Sequence, residues 1–168
     1  MVHERENIEN EREALSLSKA AQYLLEECRM VLPGLQALFG FQLVVVFNSG
    51  FSEKLSTGEQ FLHLAAIAFV GIAIAFIMAP AAYHRQTGPR QVTARFVTLS
   101  TRLLLWSMLP LCVSISIEVY LVSRVILGGP YAPLLALLVF LIYLVLWFVL
   151  PRSKALCRVL GAHDSTET

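Results

Sequence analysis

Charge is scarce in this chain. Only 15% of its 168 residues are Asp, Glu, Lys or Arg, against roughly 25% in ordinary soluble domains. So low a fraction leaves too few polar groups to clothe a soluble globule. The formal net charge is +1 and no basic tract is present, which removes the electrostatic footprint of a nucleic-acid binder. Cysteine is equally sparse: Cys28, Cys112 and Cys157 stand far apart, with no C-x-x-C spacing. Neither a disulfide framework nor a metal site is expected from them, and Cys112, inside an apolar run, is expected to pack as a small hydrophobe. Also lacking are a His pair with a carboxylate at metal spacing, a G-x-S-x-G elbow, a phosphate-binding glycine loop and any quinone or haem signature. An enzyme is therefore not expected, and no cofactor is implied. The first 13 residues carry Glu4, Glu6, Glu9, Glu11 and Glu13, unlike the basic start of a cleavable signal peptide.

What the chain has in abundance is long apolar runs, at about 31–50, 60–82, 103–127 and 132–150. The hydrophobic fraction is 57% and the mean hydropathy is +0.66. Each run is near or above the roughly 18–20 residues needed to cross a hydrocarbon core. The expected fold is an all-α integral membrane protein, a four-transmembrane-helix bundle preceded by an amphipathic cytoplasmic helix. Its expected parts are a mobile acidic tail at 1–13, an interfacial helix at 14–32 and a transmembrane domain at 33–150, followed by a basic and polar tail at 151–168. The four spans fall at about 33–50, 60–82, 100–127 and 132–150. In the interfacial segment Leu17, Ala21, Leu24, Cys28 and Val31 share a helical face. At Pro33-Gly34 either a bend or a straight continuation into the first span is open.

Eleven of the 13 basic residues (all but Lys54 and Arg124) fall on one side of a chain that crosses four times. The positive-inside rule then places both termini and the 83–98 connection in the cytoplasm, with the protein in the cell's inner (plasma) membrane. The connections at 51–59 and Gly128-Gly129-Pro130 are short, which makes consecutive helices antiparallel neighbours. In the second span Gly71, Ala75 and Ala79 form a small-xxx-small stripe suited to close helix packing. The fourth span is mostly Leu, Val and Phe, with Tyr143 and Trp147 for an aromatic belt, and is expected to face lipid.

An ionisable group within a span costs about 2.5–3.5 kcal/mol on insertion scales and marks a candidate functional site. Glu118, in the third span, is the clearest case, and helical geometry aligns it with Ser100, Ser107 and Ser114. Two readings stand. The stripe lines an ion pathway on which Glu118 attracts cations or exchanges protons, or its serines bond back to backbone while Glu118 is a paired group between helices. His63 and Asn48 are candidate partners of Glu118, and a His–Glu pair would make a proton-sensing or proton-coupled site. Gln36 and Gln42 in the first span lie on different faces, each expected to hydrogen-bond a neighbouring helix. On the inner side Glu26, Glu27 and Arg29 are expected to meet His84 and Arg85, as an ion-pair lock or as a gate or proton relay. Arg85, Arg90 and Arg95 are also candidates for anionic lipid headgroups.

Two stretches, EECRMVLPGLQALFGFQLVVVF and FLHLAAIAFVGIAIAFIMAPAAYHR, carry a pattern. An E-x-x-R (Glu26, Arg29) precedes Gly34, Gln36, Leu38, Phe39 and Phe41, and a second span closes on Ala79, Pro80, His84 and Arg85. Over about residues 24–127 the chain resembles an uncharacterised bacterial multi-span membrane-protein family, a domain of unknown function. The resemblance implies a membrane protein, and some members carry an automatic label of sodium:proton antiporter. Glu118 lies outside that pattern.

One subunit of this size leaves little room for alternating access, which draws on inverted repeats, and no internal repeat is visible. The expected function is an oligomeric membrane ion channel or channel-like cation/proton conductor with a polar path along the third span. Its partners would be the bilayer, further copies of the chain, and monovalent cations or protons. The alternatives are a non-conducting membrane subunit or scaffold of a larger complex, and a sodium/proton-coupled transporter.

Overall fold

The computed structural model describes residues 2–87 and 93–152, with side chains over 16–86 and 93–151. Residues 153–168 of the tail expected at 151–168, with Cys157, and Arg90 lie outside the described residues. Every described element is helical. Helix α1 spans Val2–Val46, α2 Ser49–Lys54, α3 Thr57–Thr87, α4 Ala94–Leu127 and α5 Tyr131–Leu144. A π-helical turn at Val145–Val149 and a 3₁₀ turn at Leu150–Arg152 continue α5. Among the described residues four helical stretches are long and apolar enough to cross a membrane: Ser16–Val46, Thr57–Gln86, Ala94–Leu127 and Tyr131–Val149. The protein is thus all-α, with the helices of a membrane protein.

Helix α1 runs without interruption through Pro33. Proline there removes one amide donor, leaving the Arg29 carbonyl without its intrahelical partner, yet the helix continues. The reason lies in its buried positions. Ala21, Cys28, Leu35 and Gln42 recur every seven residues and are all buried, so one seam is held on both sides of the proline. The helix stops at Val46, where Asn48 and Gly50 make a local turn: the Asn48 Oδ1 accepts from the Gly50 N–H at 3.1 Å. Residues 47–50, expected at the end of the first span, belong to that turn and to α2.

The chain forms two compact units. The first comprises Met1–Phe51 and Ile67–Leu111. Its core is built around Cys28 and Leu35 of α1 and Ile77 of α3, against which Leu32, Ile74, Leu104 and Leu111 pack. Tyr83 stacks on Phe96 at 5.6 Å between ring centroids, and His84 lies tilted against the same ring at 5.8 Å. Phe96 is buried at the start of α4, where the Thr93 hydroxyl caps the helix by accepting from the Phe96 N–H.

The second unit comprises Ser52–Ala66 and Cys112–Thr168. Within it α3 and α4 pair antiparallel, and the Cys112 thiol approaches the Phe140 carbonyl of α5 at 3.8 Å. Helix α5 buries only Ala132; Leu134, Leu135, Leu137, Leu138 and Leu141 are exposed, as lipid contact would require. Tyr143 and Trp147 lie one turn apart with ring centroids at 4.7 Å.

Along α3 the buried residues are Glu59, His63, Ala66, Val70, Ala73, Ile77 and Pro80, spaced three and four apart as a helix face demands. The stripe Gly71, Ala75 and Ala79 lies beside this face. Ala75 is exposed, and a Cβ placed on Gly71 would meet no atom within 4 Å.

Gly128 and Gly129 close α4 in the left-handed region, at φ 57° and 91°. An L-residue there is strained by roughly 1–2 kcal/mol, whereas alanine in a helix interior gains about 0.5–1 kcal/mol over glycine. Gly129→Ala should therefore lower the thermal unfolding midpoint in detergent, and Gly71→Ala should leave it unchanged or raise it. Melting followed by circular dichroism checks this; equal midpoints for the two variants would contradict the turn geometry.

Candidate functional site

The second unit brings the ionisable residues of α3 and α4 together in a ladder. As α3 advances from Glu59 through His63 to Ala66, its partners on α4 step back from Arg124 through Glu118 to Ser114. Each advance is about one helical turn, so every rung faces the other helix.

The first rung is set by how α3 begins. Ser56 is its N-cap and Glu59 its third residue, the Ser-x-x-Glu order of a capping box. The Glu59 carboxylate accepts from the Ser56 N–H at 2.8 Å and from its hydroxyl at 2.7 Å. The Gln60 amide donates to the Leu55 carbonyl at 3.0 Å, tightening the same turn. Glu59, thus buried and oriented, receives the Arg124 guanidinium on its other oxygen.

The second rung is the pair expected from sequence. His63 Nδ1 lies 3.0 Å from Glu118 Oε1; His63 is 2% exposed and the Glu118 side chain 23%. On the third rung the Ser114 hydroxyl donates to the Ala66 carbonyl at 2.9 Å. Both residues are fully buried. Their small side chains let the two backbones approach closely enough for a hydroxyl to reach across.

Beside the His63–Glu118 contact, Glu59 and Arg124 pair with each other, so an imidazole–carboxylate contact and a guanidinium–carboxylate pair lie along the same α3–α4 seam.

The other sequence candidates fall as follows. Ser114 belongs to this unit; Ser100 and Ser107 are buried in the first unit. The Ser107 hydroxyl donates to the Leu104 carbonyl at 2.7 Å, and in the second unit Ser116 donates to Cys112 at 2.8 Å. Asn48 is exposed and occupied by the Gly50 turn. Gln42 is buried and Gln36 exposed, in keeping with their different faces. On the first unit, Arg29, His84 and Arg85 line a common cavity. Glu26 and Glu27 are exposed and, among the described residues, form no ion pair with these cations. No cluster of three metal-ligating side chains occurs among the described residues. Sequence reasoning missed Glu59 and Arg124, although S-x-x-E before an apolar run was the available signal.

The chain belongs to a family of unknown function, DUF6328, which matches residues 10–151. That span takes in the fourth apolar run as well as the 24–127 stretch that carries the resemblance. No curated protein and no solved structure matches the chain.

The geometry of the first rung predicts how Glu59 tolerates change. Glutamine can serve at the third position of a capping box, so Glu59→Gln should keep most of the stability. Glu59→Ala removes the cap and should cost about 1 kcal/mol. Thermal unfolding of both variants in one detergent is the measurement, and identical losses would mean that the Arg124 charge pair dominates instead.

Proposed function

We propose that this protein is a proton-coupled membrane conductor, a channel-like cation or proton pathway assembled from several copies of the chain, with proton exchange at the His63–Glu118 pair. The observation that carries this reading is the 3.0 Å contact between a buried imidazole and a carboxylate within apolar helices. Histidine is the side chain best suited to exchange protons near neutrality. An ionisable residue inside a span is retained at a cost, which points to use. Gain or loss of a proton would alter the α3–α4 attraction at that rung and so bias how tightly the two helices hold together. In the same reading the protein sits in the cell's inner membrane with both termini cytoplasmic, as the distribution of 11 of 13 basic residues favours.

The serine face of the third span is a weaker candidate for the pathway itself. Ser107, Ser114 and Ser116 direct their hydroxyls to backbone carbonyls, which favours helix contact over water. That bonding also gives a second reading its support: a non-conducting subunit or scaffold of a larger complex. A sodium/proton-coupled transporter would use the same pair, with the carboxylate alternating between a cation and the imidazole proton.

Purified full-length protein in liposomes loaded with a pH-sensitive dye separates these readings. A potassium diffusion potential should drive proton entry well above that of protein-free vesicles. Glu118→Gln and His63→Gln should each reduce the rate at least tenfold, and Ser107→Ala should stay within about twofold. Wild-type flux no greater than the empty-vesicle leak would leave the subunit reading; undiminished flux in Glu118→Gln would remove the pair from the mechanism.

A further inference from the structure

In the first unit, α1 and α3 enclose a cavity of about 220 Å³ with a divided character. Leu32, Ile77 and Met78 form part of an apolar wall, while Arg29, His84 and Arg85 supply the ionisable nitrogen groups among the described residues around it. No carboxylate of the described residues lines it. Neither arginine takes part in an ion pair among the described residues. His84 is steadied from the other side by its contact with the Phe96 ring.

We propose that this cavity is a binding site for an anionic phospholipid. Its phosphate would sit between Arg29, His84 and Arg85, with the first methylenes of its chains against Leu32, Ile77 and Met78. Arg29 and Arg85 line the same cavity and make no ion pair among the described residues; an oxyanion between them would offset their like charge. Arginine is also the side chain whose planar fork best matches phosphate oxygens. The apolar wall selects a lipid over free phosphate, because an inorganic ion would leave that wall in contact with water. The position along the chain agrees. Arg85 is one residue from the end of the candidate span Thr57–Gln86, where a helix meets the headgroup layer. Part of the cationic preference at α3's last turn answers the helix dipole, but Arg29 lies within α1, where no helix end calls for it. Basic pockets between membrane helices are a recurrent means of holding anionic headgroups. The site is independent of the His63–Glu118 pair.

The test uses the full-length protein in a neutral detergent, titrated separately with dioleoylphosphatidylglycerol, dioleoylphosphatidylcholine and inorganic phosphate, reading the thermal unfolding midpoint. Phosphatidylglycerol should raise the midpoint saturably, and the other two should not. The double variant Arg29→Gln, Arg85→Gln should need at least tenfold more phosphatidylglycerol for half the shift. Ala81→Phe, which narrows the cavity without changing charge, should weaken the effect likewise and covers the case in which the double variant does not fold. Equal shifts with phosphatidylcholine would overturn the proposal. So would an equal shift with inorganic phosphate, which would mark a soluble-anion site, or undiminished phosphatidylglycerol response in Ala81→Phe.

Discussion

Hydrocarbon offers no hydrogen-bond partner, so a polar atom carried into a membrane helix must be satisfied by the chain itself. The pairing of α3 with α4 in the second unit is an answer to that constraint. Ala66 and Ser114 are both fully buried, and their small volumes let the Ser114 hydroxyl reach a backbone carbonyl on the facing helix. That contact sets the interhelical distance. Once it is set, residues one turn further along must meet as well, and His63 finds Glu118. A larger residue at either small position would push the helices apart and open the very contact that neutralises the buried charge. Packing and electrostatics are therefore one arrangement here, with the serine as spacer and the His–Glu pair as dependent rung.

The polar groups of this unit are held in different ways. The Ser114 hydroxyl donates to a backbone carbonyl, His63 meets Glu118 side chain to side chain, and Glu59 pairs with Arg124 at the start of α3, tied into the helix cap by Ser56. The His–Glu rung thus lies between a hydroxyl contact and an ion pair. In the proposed conductor those two hold the helices while the middle rung exchanges protons.

Much of this was legible from residue order. Four apolar runs announced four long helices, and the arc of Ser100, Ser107, Ser114 and Glu118 marked the side of α4 that is turned inward. Antiparallel neighbours and a shared depth made His63 and Asn48 candidate partners of Glu118; His63 lies against it, and Asn48 is taken up by the Gly50 turn. What escaped were features in which tertiary contact outweighs local preference. Pro33 gave equal support to a break and to a continuous helix; the outcome turned on the seven-residue seam Ala21, Cys28, Leu35 and Gln42, whose burial depends on neighbours. On α3 the small-residue stripe drew attention to Gly71, Ala75 and Ala79, yet burial falls on the adjacent face through Val70, Ala73 and Ile77. Small size permits close approach without requiring it. The Glu59–Arg124 pair escaped because its partners lie 65 residues apart and meet only once α3 and α4 are antiparallel.

The inner-side residues show the same limit from the opposite direction. Charge pairing along the sequence suggested that Glu26 and Glu27 would neutralise Arg29, His84 and Arg85. Neighbours on a helical face are three or four residues apart, so Glu26, not Glu27, has the spacing to reach Arg29 on its own helix. Glu26 and Arg29 are both exposed, but among the described residues they form no ion pair, and Arg29 lines the cavity with Cys28 and Leu32. The cations that a family-like pattern scatters over two helices therefore converge on one apolar recess, and the acids stay outside it. Among the described residues the second unit pairs Glu59 with Arg124 and Glu118 with His63. In the first unit Arg29 and Arg85 make no ion pair among the described residues, and in the proposed lipid site an anionic phospholipid of the bilayer would supply the opposite sign without any further protein.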